Sequence, residues 1–251
     1  MPETPQPTAA VVIIGNEILS GRTADMNLSY LAGVLGEIGV RLVEARVVGD
    51  VEAQIVRAVN ECRAAYTYVF TTGGIGPTHD DITARAIATA FGLALERNAG
   101  AVARLRERYE SQDLNEARLR MADMPVDATL IDNPVSQAPG FQIENVFVMA
   151  GVPAIMQAMF DGIKGRLVGG APLVSRTLSC FLPEGALASG LADVQARRPG
   201  VEIGSYPFFQ QGRLGVSVVL RGTDEGPLDE AAEAVRALIR ELGEEPVEPG
   251  A

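Results

Sequence analysis

Short apolar runs alternate with helical patterns through residues 9–165, and this alternation leaves few folds open to the chain. The runs occupy positions 9–14, 41–48 and 65–70, and helix-like spacings of apolar residues follow each of them. Strands separated by helices pair in parallel, because each helix carries the chain back across the face of the sheet. We therefore predict an α/β fold whose mainly parallel sheet is covered by helices on both faces.

A glycine-rich loop of sequence TTGGIGPTHDDIT follows the third run at positions 71–83. Its glycines permit a tight turn and leave backbone N–H groups accessible to an anion, and the following helix directs its positive end toward the same point. The adjacent carboxylates of Asp80 and Asp81 suit a hydrated Mg²⁺ held against phosphates. The alternative is a strand-to-helix turn in which one aspartate caps the helix, although a cap needs only one carboxylate.

Acidic residues also lie in the loops after the first two runs. Glu17 and Asp25 follow the first run, and Asp50 follows the second. Because parallel strands end at the same edge of a sheet, we expect these side chains to form one site with Asp80 and Asp81. The alternative is that Asp25, Asp50 and Asp81 are N-caps of the helices that they precede.

The charge balance and the cysteine content restrict the partners. A net charge of −11 without a Lys/Arg run argues against nucleic acid and against an anionic membrane surface, so an anionic ligand must be held locally. No apolar run approaches the ~18 residues that span a bilayer, and the N-terminus lacks the features of a leader peptide. Cys62 and Cys180 are far apart, which predicts neither a disulfide framework nor a zinc site and favours the cytoplasm.

A glycine-rich stretch at 165–172 predicts a linker between two domains. The first domain is assigned to 9–168 and a smaller α+β domain to 172–243, with strands near 173–181, 201–206 and 214–220 and helices near 184–197 and 227–242. Residues 1–8 and 244–251 are expected to be disordered. The aromatic segment 204–209 is interpreted as core and turn packing, or alternatively as a lid or dimer surface.

Several motifs, taken in order, resemble those of the molybdopterin-binding domain family. Within that family the chain looks most like the N-terminal part of the CinA proteins and their short relatives. The matching motifs are GNEILSG at 15–21, Asp25 with Asn27, VGD at 48–50, the loop at 71–83, NP with APG at 133–140, and GVP at 151–153.

The resemblance implies a three-layer α/β/α fold and two activities. In the cofactor-biosynthesis branch, the matching acidic positions serve Mg²⁺-dependent adenylylation of molybdopterin. In CinA-like proteins the domain is associated with pyrophosphate hydrolysis of ADP-ribose, and a similar domain accompanies flavin-nucleotide enzymes. The chain departs from the family pattern at Asn16, where Asp is usual, at Ile155, where CinA proteins have Glu, and at Ser136-Gln137, where Gly-Thr is usual.

The leading hypothesis is a Mg²⁺-dependent pyrophosphatase that acts on a nucleotide phosphoanhydride such as ADP-ribose. The catalytic residues are Asp81, Asp50 and Glu17, with Glu17 orienting water and Asp25 in support. The metal ligands are Asp81, Asp80 and Asp50. The ligand-binding residues are Gly73, Gly74, Gly76, Thr78, Thr83, Asn27, Pro139 and Gly140. His79 is a proton donor, a contact to phosphate, or alternatively a packed loop residue.

Two alternatives remain. One is a non-catalytic module that holds molybdopterin or a related pterin or nucleotide, motivated by the acid missing at Asn16. The other is adenylyl transfer to molybdopterin. In each case the partner is a small molecule, and because relatives of this fold commonly self-associate, the resemblance favours a homodimer formed through the smaller domain.

Overall fold

In a computed structural model, the chain divides into two compact units, Met1–Gly170 and Ala171–Ala251. The structure describes residues 6–110, 113–210 and 212–248. The strands of the first unit are β1 Thr8–Ile14, β2 Arg41–Val48, β3 Tyr68–Thr72, β4 Leu95–Arg97, β5 Asp123–Pro125, β6 Thr129–Ile131, β7 Gly140–Ile143 and β8 Val146–Met149. Its helices are α1 Asn16–Leu19, α2 Asn27–Glu37, α3 Glu52–Ala65, α4 Thr83–Phe91, α5 Ala99–Arg108, α6 Glu116–Leu119 and α7 Pro153–Ile163.

The central sheet has six strands in the order β2-β1-β3-β8-β7-β6. Strands β2, β1, β3 and β8 are parallel neighbours, whereas β7 is antiparallel to both β8 and β6. The predicted mainly parallel sheet is therefore confirmed. Since the parallel strands end at one edge, the loops that follow β1, β2, β3 and β8 lie side by side there.

Helices cover both faces of this sheet and complete the three layers. Successive side chains of β1 point to opposite faces, so Val12 packs beneath α3 and α4 while Val11 packs beneath α2 and α7. Burial on both faces explains why β1 is apolar throughout. On the α2 and α7 face, the ring of Phe70 stacks on Phe147 with 5.3 Å between centroids and meets the edge of Phe160 at 5.8 Å.

The third strand lies later in the chain than predicted. Strand β3 spans Tyr68–Thr72, and α3 continues to Ala65, where the sequence predicted the strand to start. Thr71 and Thr72 extend the strand because they pair with β1 on one side and β8 on the other. Strands β4, β5 and β6 were not predicted, since three residues are too few to show an alternating pattern.

Both predicted disordered ends are partly ordered. The carbonyl oxygen of Pro7 accepts a hydrogen bond of 2.8 Å from Arg41, and β1 begins at Thr8. At the other end, Val247 and Ser179 exchange backbone hydrogen bonds of 2.8 and 2.7 Å. The prediction of disorder is therefore corrected for residues 6–8 and 244–248, because backbone pairing holds both segments. Residues 1–5 and 249–251 lie outside the described residues.

The second unit is a two-layer α+β structure. Its elements are β9 Val174–Cys180, α8 Glu184–Arg197, β10 Glu202–Gln210, β11 Arg213–Gly222 and α9 Glu225–Glu241. The antiparallel sheet has the order β10-β11-β9, and both helices pack on one of its faces. The aromatic segment 204–209 belongs to β10, where Tyr206 and Phe209 are exposed, so core packing does not describe these two residues.

The described part of the chain contains no helix that is both long enough and apolar enough to cross a bilayer.

Candidate functional site

The loops after β1 and β2 are joined by a reciprocal pair of hydrogen bonds. Asn16 donates its backbone N–H to Asp50 Oδ2 at 2.9 Å, and its side-chain Oδ1 accepts the N–H of Asp50 at 3.4 Å. Asp50 therefore caps the short helix α1 and not the helix that it precedes in sequence. Gly49 is needed beside this pair, because a Cβ there would lie 2.6 Å from Asn16 Oδ1.

Gly73 lies where the ends of β1, β3 and β8 meet. Its N–H donates to Met149 O at 3.1 Å, and its φ of 102° is a conformation that glycine adopts at little cost. A Cβ at this position would overlap the carbonyl oxygen of Ile14. A Cβ added at Gly151 would likewise lie only 3.2 Å from Gly73 Cα. Close backbone packing thus fixes the start of the glycine loop.

The backbone N–H groups of Gly74, Ile75 and Gly76 form no hydrogen bond with any described residue. Gly73 differs, because Met149 already accepts its N–H. The stretch 74–76 is therefore the part of the loop that can donate to an anion.

Thr83 holds the loop from beneath. Its hydroxyl donates to Gly73 O at 3.0 Å and its backbone N–H donates to Gly74 O at 3.0 Å, and the residue is buried. Gly74 has a φ of 67°, and a Cβ there would overlap the Thr83 hydroxyl. The sequence predicted that Thr83 donates to phosphate, whereas in the structure the Thr83 hydroxyl donates its proton to the carbonyl oxygen of Gly73.

Thr78, Asp80 and Asp81 form a cluster of oxygen atoms at the far side of the loop. The Thr78 hydroxyl lies 2.6 Å from Asp80 Oδ1 and 2.5 Å from Asp81 Oδ2, and Thr78 N donates to Asp81 Oδ2 at 2.7 Å. A hydroxyl carries a single proton, so one of its two contacts with a carboxylate lacks a hydrogen. Gly76 accommodates the cluster, because a Cβ there would lie 2.7 Å from Asp81 Oδ2.

In the cluster, Asp80 is exposed and Asp81 is half-buried. Hydrogen bonds from the Thr78 hydroxyl and from its own backbone lower the pKa of the Asp80 carboxyl below its ordinary value. His79 is 95% exposed, with Nδ1 at 3.9 Å from Asp80 Oδ1, which argues against the packed alternative for this histidine. Asp50 does not join Asp80 and Asp81: in the described ranges, no three His, Cys, Asp or Glu side chains are grouped to hold a metal.

A small cavity of about 60 Å³ lies between the end of β1 and the start of α2. Glu17, Asp25, Asn27 and Thr72 line it, together with backbone of Gly151. Asp25 Oδ1 accepts the N–H of Leu28 at 2.8 Å and so caps α2, as the capping alternative predicts. The predicted Glu17 and Asn27 are therefore brought together with Thr72, a residue that the sequence did not single out.

Pro139 and Gly140 are buried and do not present a surface to a ligand. A Cβ at Gly140 would overlap Val148 O, so this glycine permits β7 to approach β8. The preceding loop is held by Asn133, whose amide donates to Ser136 Oγ and to Ala138 O at 2.6 and 2.8 Å. These residues shape the edge of the sheet beside the site.

Arg120 supplies a cation that the sequence analysis did not assign to the site. Its Nη2 donates to Pro77 O at 3.0 Å, and the residue is exposed. Pro77 directly precedes Thr78, so the guanidinium lies against the same loop as Asp80 and Asp81. No spacing in the sequence indicates this contact, because 43 positions separate Arg120 from Pro77.

Both units match known families. Residues 10–168 match the family described as "Probable molybdopterin binding domain", and residues 172–247 match "FAD synthase, middle domain". A solved structure of CinA from Thermoplasma acidophilum, described as a protein with unknown function, is 32% identical. It superposes with a TM-score of 0.62 and covers 65% of this chain and 99% of that chain.

Two longer proteins are similar over nearly the whole chain. A CinA-like protein of Geobacter metallireducens is 34% identical over 247 residues, which are 92% of this chain and 59% of that protein. A protein of Caenorhabditis briggsae named "Probable FAD synthase" is 33% identical over 271 residues, which are 96% of this chain and 50% of that protein. The chain thus spans only part of the length of these relatives.

Proposed function

The chain belongs to the molybdopterin-binding domain family, and on this premise we propose that its first unit binds a nucleotide or pterin phosphoanhydride and hydrolyses it with Mg²⁺. The observation that carries the proposal is the oxygen cluster of Thr78, Asp80 and Asp81 beside the unpaired N–H groups of the glycine loop. The N–H groups of Gly74 and Gly76 suit the anionic phosphate, and the carboxylates suit a hard cation that accompanies it.

The donor set at the loop fits Mg²⁺. The side chains of Thr78, Asp80 and Asp81 offer only oxygen atoms, which are hard ligands. Because the single proton of the Thr78 hydroxyl can serve only one of the two carboxylates, two oxygen atoms face each other without a hydrogen between them, and a cation would reduce their repulsion. Mg²⁺ commonly takes one or two carboxylates together with substrate phosphates and water, so Asp80 and Asp81 suffice. When bound, the metal neutralises charge on the phosphates and lowers the pKa of a water molecule.

The chain's own residues then orient the reactants. Gly74, Ile75 and Gly76 direct N–H groups at the phosphate, while Thr83 and Gly73 keep these groups in place. Asp81 keeps its position because the N–H of Thr78 donates to Asp81 Oδ2 at 2.7 Å and the Thr78 hydroxyl lies against the same oxygen. Glu17, in the neighbouring loop, is the residue that we assign to orient the attacking water.

FAD and ADP-ribose are the first two candidate substrates. Both contain a pyrophosphate between two larger groups, which is the bond that this site suits. The support for FAD comes from the match of residues 172–247 to a domain of FAD synthase and from a relative that carries that name. The N–H groups recognise phosphate and do not by themselves separate the two substrates.

A turnover assay tests the proposal. Purified protein is incubated with ADP-ribose, FAD or coenzyme A, with and without Mg²⁺, and released mononucleotide is measured. We expect release from at least one compound that depends on Mg²⁺. Absence of turnover of every phosphoanhydride, at substrate concentrations that saturate binding, would overturn the hydrolase proposal.

A binding module without catalysis is the second candidate, and one observation favours it. Asn16 replaces a family carboxylate and ties down Asp50 through two hydrogen bonds, so this side of the site contributes less free negative charge. Calorimetric titration separates the two candidates. Binding of a pterin or nucleotide that is independent of metal and yields no product supports the module, and formation of an adenylylated pterin from ATP would instead support adenylyl transfer.

Arg120→Gln is expected to weaken binding of a phosphate-bearing ligand about tenfold. The guanidinium beside Pro77 O is a charge-assisted donor for the ligand, and glutamine keeps a donor but removes the charge. Affinity is measured by calorimetry at two salt concentrations, since the loss should shrink at high salt. Arg118→Gln is the matched control: Arg118 lies in the same segment but stacks on Tyr109 at 4.4 Å. Equal affinities of the two variants would contradict the assignment.

A further inference from the structure

The cavity beside α2 is lined by hydrogen-bond acceptors and by no cation. Two carboxylates, Glu17 and Asp25, border it, and its remaining polar side chains are Thr23, Asn27 and Thr72. Its lining residues include no lysine, arginine or histidine. A phosphate is therefore repelled from this cavity, whereas a neutral group that donates hydrogen bonds is matched by it.

Asn27 presents an acceptor without a partner. Its Nδ2 donates to Gly151 O at 2.8 Å, and because only the NH₂ end of an amide can pair with a carbonyl oxygen, this bond fixes the orientation of the side chain. Oδ1 is then an acceptor, and it is buried with no hydrogen-bond partner among the described residues. The residue is 3% exposed. Native proteins satisfy the great majority of such atoms, so an orphan acceptor at a cavity points to a missing donor.

Thr72 repeats the same feature at the end of β3. It is 1% exposed, it lines the cavity, and its hydroxyl has no partner in the part of the chain that the structure describes. The cavity exceeds the ~10–15 Å³ that a single water molecule needs, so a hydroxyl or amino group fits. Two independent buried side chains therefore lack partners at one cavity.

The cavity and the glycine loop are adjacent along the chain. Thr72 directly precedes Gly73, and the unpaired N–H groups begin at Gly74. Consecutive Cα atoms lie about 3.8 Å apart, so one ligand can reach both places. We propose, building on the function proposed above, that the cavity receives the uncharged, hydrogen-bond-donating end of the ligand whose phosphates lie on the loop.

The ligand therefore lies in one direction in the site. Its phosphates contact residues 74–76, and its sugar hydroxyls or ring N–H groups donate to Asn27 Oδ1 and Thr72 Oγ1. Sugar hydroxyls and the amino group of a pterin share this donor chemistry, and a carboxylate such as that of Asp25 commonly accepts from hydroxyl groups of nucleotides.

The test replaces Thr72 by valine, which has the same shape but no hydroxyl. Binding to the full-length protein is measured by calorimetry with Mg²⁺ and three analogues that resist hydrolysis, each with a methylene group between the phosphorus atoms. The analogues are methylene diphosphonate, which lacks the donor end, an ADP-ribose analogue with sugar hydroxyls, and a pterin-methyl analogue with a ring amine. We expect Thr72→Val to bind at least one organic analogue about tenfold more weakly and methylene diphosphonate unchanged.

Thr71→Val is the matched control. Thr71 is also buried and also has an unpartnered hydroxyl, but it lies on the opposite face of β3 and does not line the cavity. Both valine variants are expected to be at least as stable as the unaltered protein, because each removes an unsatisfied buried hydroxyl. Only Thr72→Val is expected to lose affinity, and Thr72→Ser should retain it.

The affinities of Thr72→Val for the two organic analogues show which donor groups occupy the cavity. Loss confined to the ADP-ribose analogue identifies sugar hydroxyls as the donors, and loss confined to the pterin analogue identifies ring N–H groups. Unchanged affinity of Thr72→Val for both organic analogues means that the cavity holds only water, which overturns this proposal and leaves the proposed function standing. Failure of the unaltered protein to bind any analogue overturns both.

Discussion

The Gly73→Ala variant is expected to lose about 3 kcal/mol of stability and to lose ligand binding. Gly73 has a φ of 102°, and an alanine Cβ would overlap the carbonyl oxygen of Ile14, which belongs to the backbone of β1. Backbone cannot move aside as the end of a flexible side chain can, so the loop and the strand must separate. Urea unfolding of the purified variant measures the loss of stability, and calorimetry measures ligand binding.

Gly33→Ala is the control for this prediction. Gly33 lies exposed within α2, and nothing approaches the position of its Cβ within 4 Å. Alanine is expected to stabilise the protein there by about 0.5–1 kcal/mol, because it lowers the entropy of the unfolded chain and favours the helix. If both variants changed stability by the same amount, the close approach of Gly73 to Ile14 would not be the cause.

The Asp81→Asn variant is expected to lose roughly 100-fold in kcat/KM for the substrate identified by the turnover assay. Asparagine keeps an oxygen at the position of Asp81 Oδ2, where both the N–H and the hydroxyl of Thr78 make their contacts, so the loop should remain folded. The substitution removes the negative charge that suits Mg²⁺. The loss should therefore be larger at low than at high Mg²⁺ concentration, which a titration of the metal measures.

Asp229→Asn provides the comparison for Asp81→Asn. Asp229 pairs with Arg176 at 3.0 Å on the surface of the second unit, so the same change of charge is made far along the chain from the loop. Its activity should equal that of the unaltered protein. Retention of full, Mg²⁺-dependent activity by Asp81→Asn would remove Asp81 from the proposed mechanism.

The layers of the fold could be predicted because they depend on repeated local patterns. Continuous apolar character in β1 predicted burial on both faces, and the helix spacings that follow each strand predicted parallel pairing. The end of β3 could not be predicted, because Thr71 and Thr72 are polar and enter the strand only through pairing with β1 and β8. The termini were mispredicted for the same reason, since single backbone pairs with distant residues hold them.

The general position of the site could also be predicted, but the role of each residue depends on distances that the sequence does not contain. The loops with Glu17, Asp50 and Asp81 do end at one edge of the sheet. The hydroxyl of Thr83, by contrast, is directed at Gly73 O, which becomes evident only once the loop has folded over it. Arg120 reaches the site by tertiary packing and lies in no motif, and Thr72 lies in the glycine-rich motif, whose sequence does not show that its hydroxyl faces the cavity.

The short pairing of Val247 with Ser179 has a consequence for how the second unit meets other molecules. The sheet order makes β9 and β10 the two outer strands, and the C-terminal segment occupies part of the outer side of β9. The other outer strand, β10, contains Pro207, which has no N–H to offer to an added strand. Open edges invite pairing with further chains, and proline or a covering segment suppresses it. Both features therefore oppose a dimer of this unit that forms by extending its sheet.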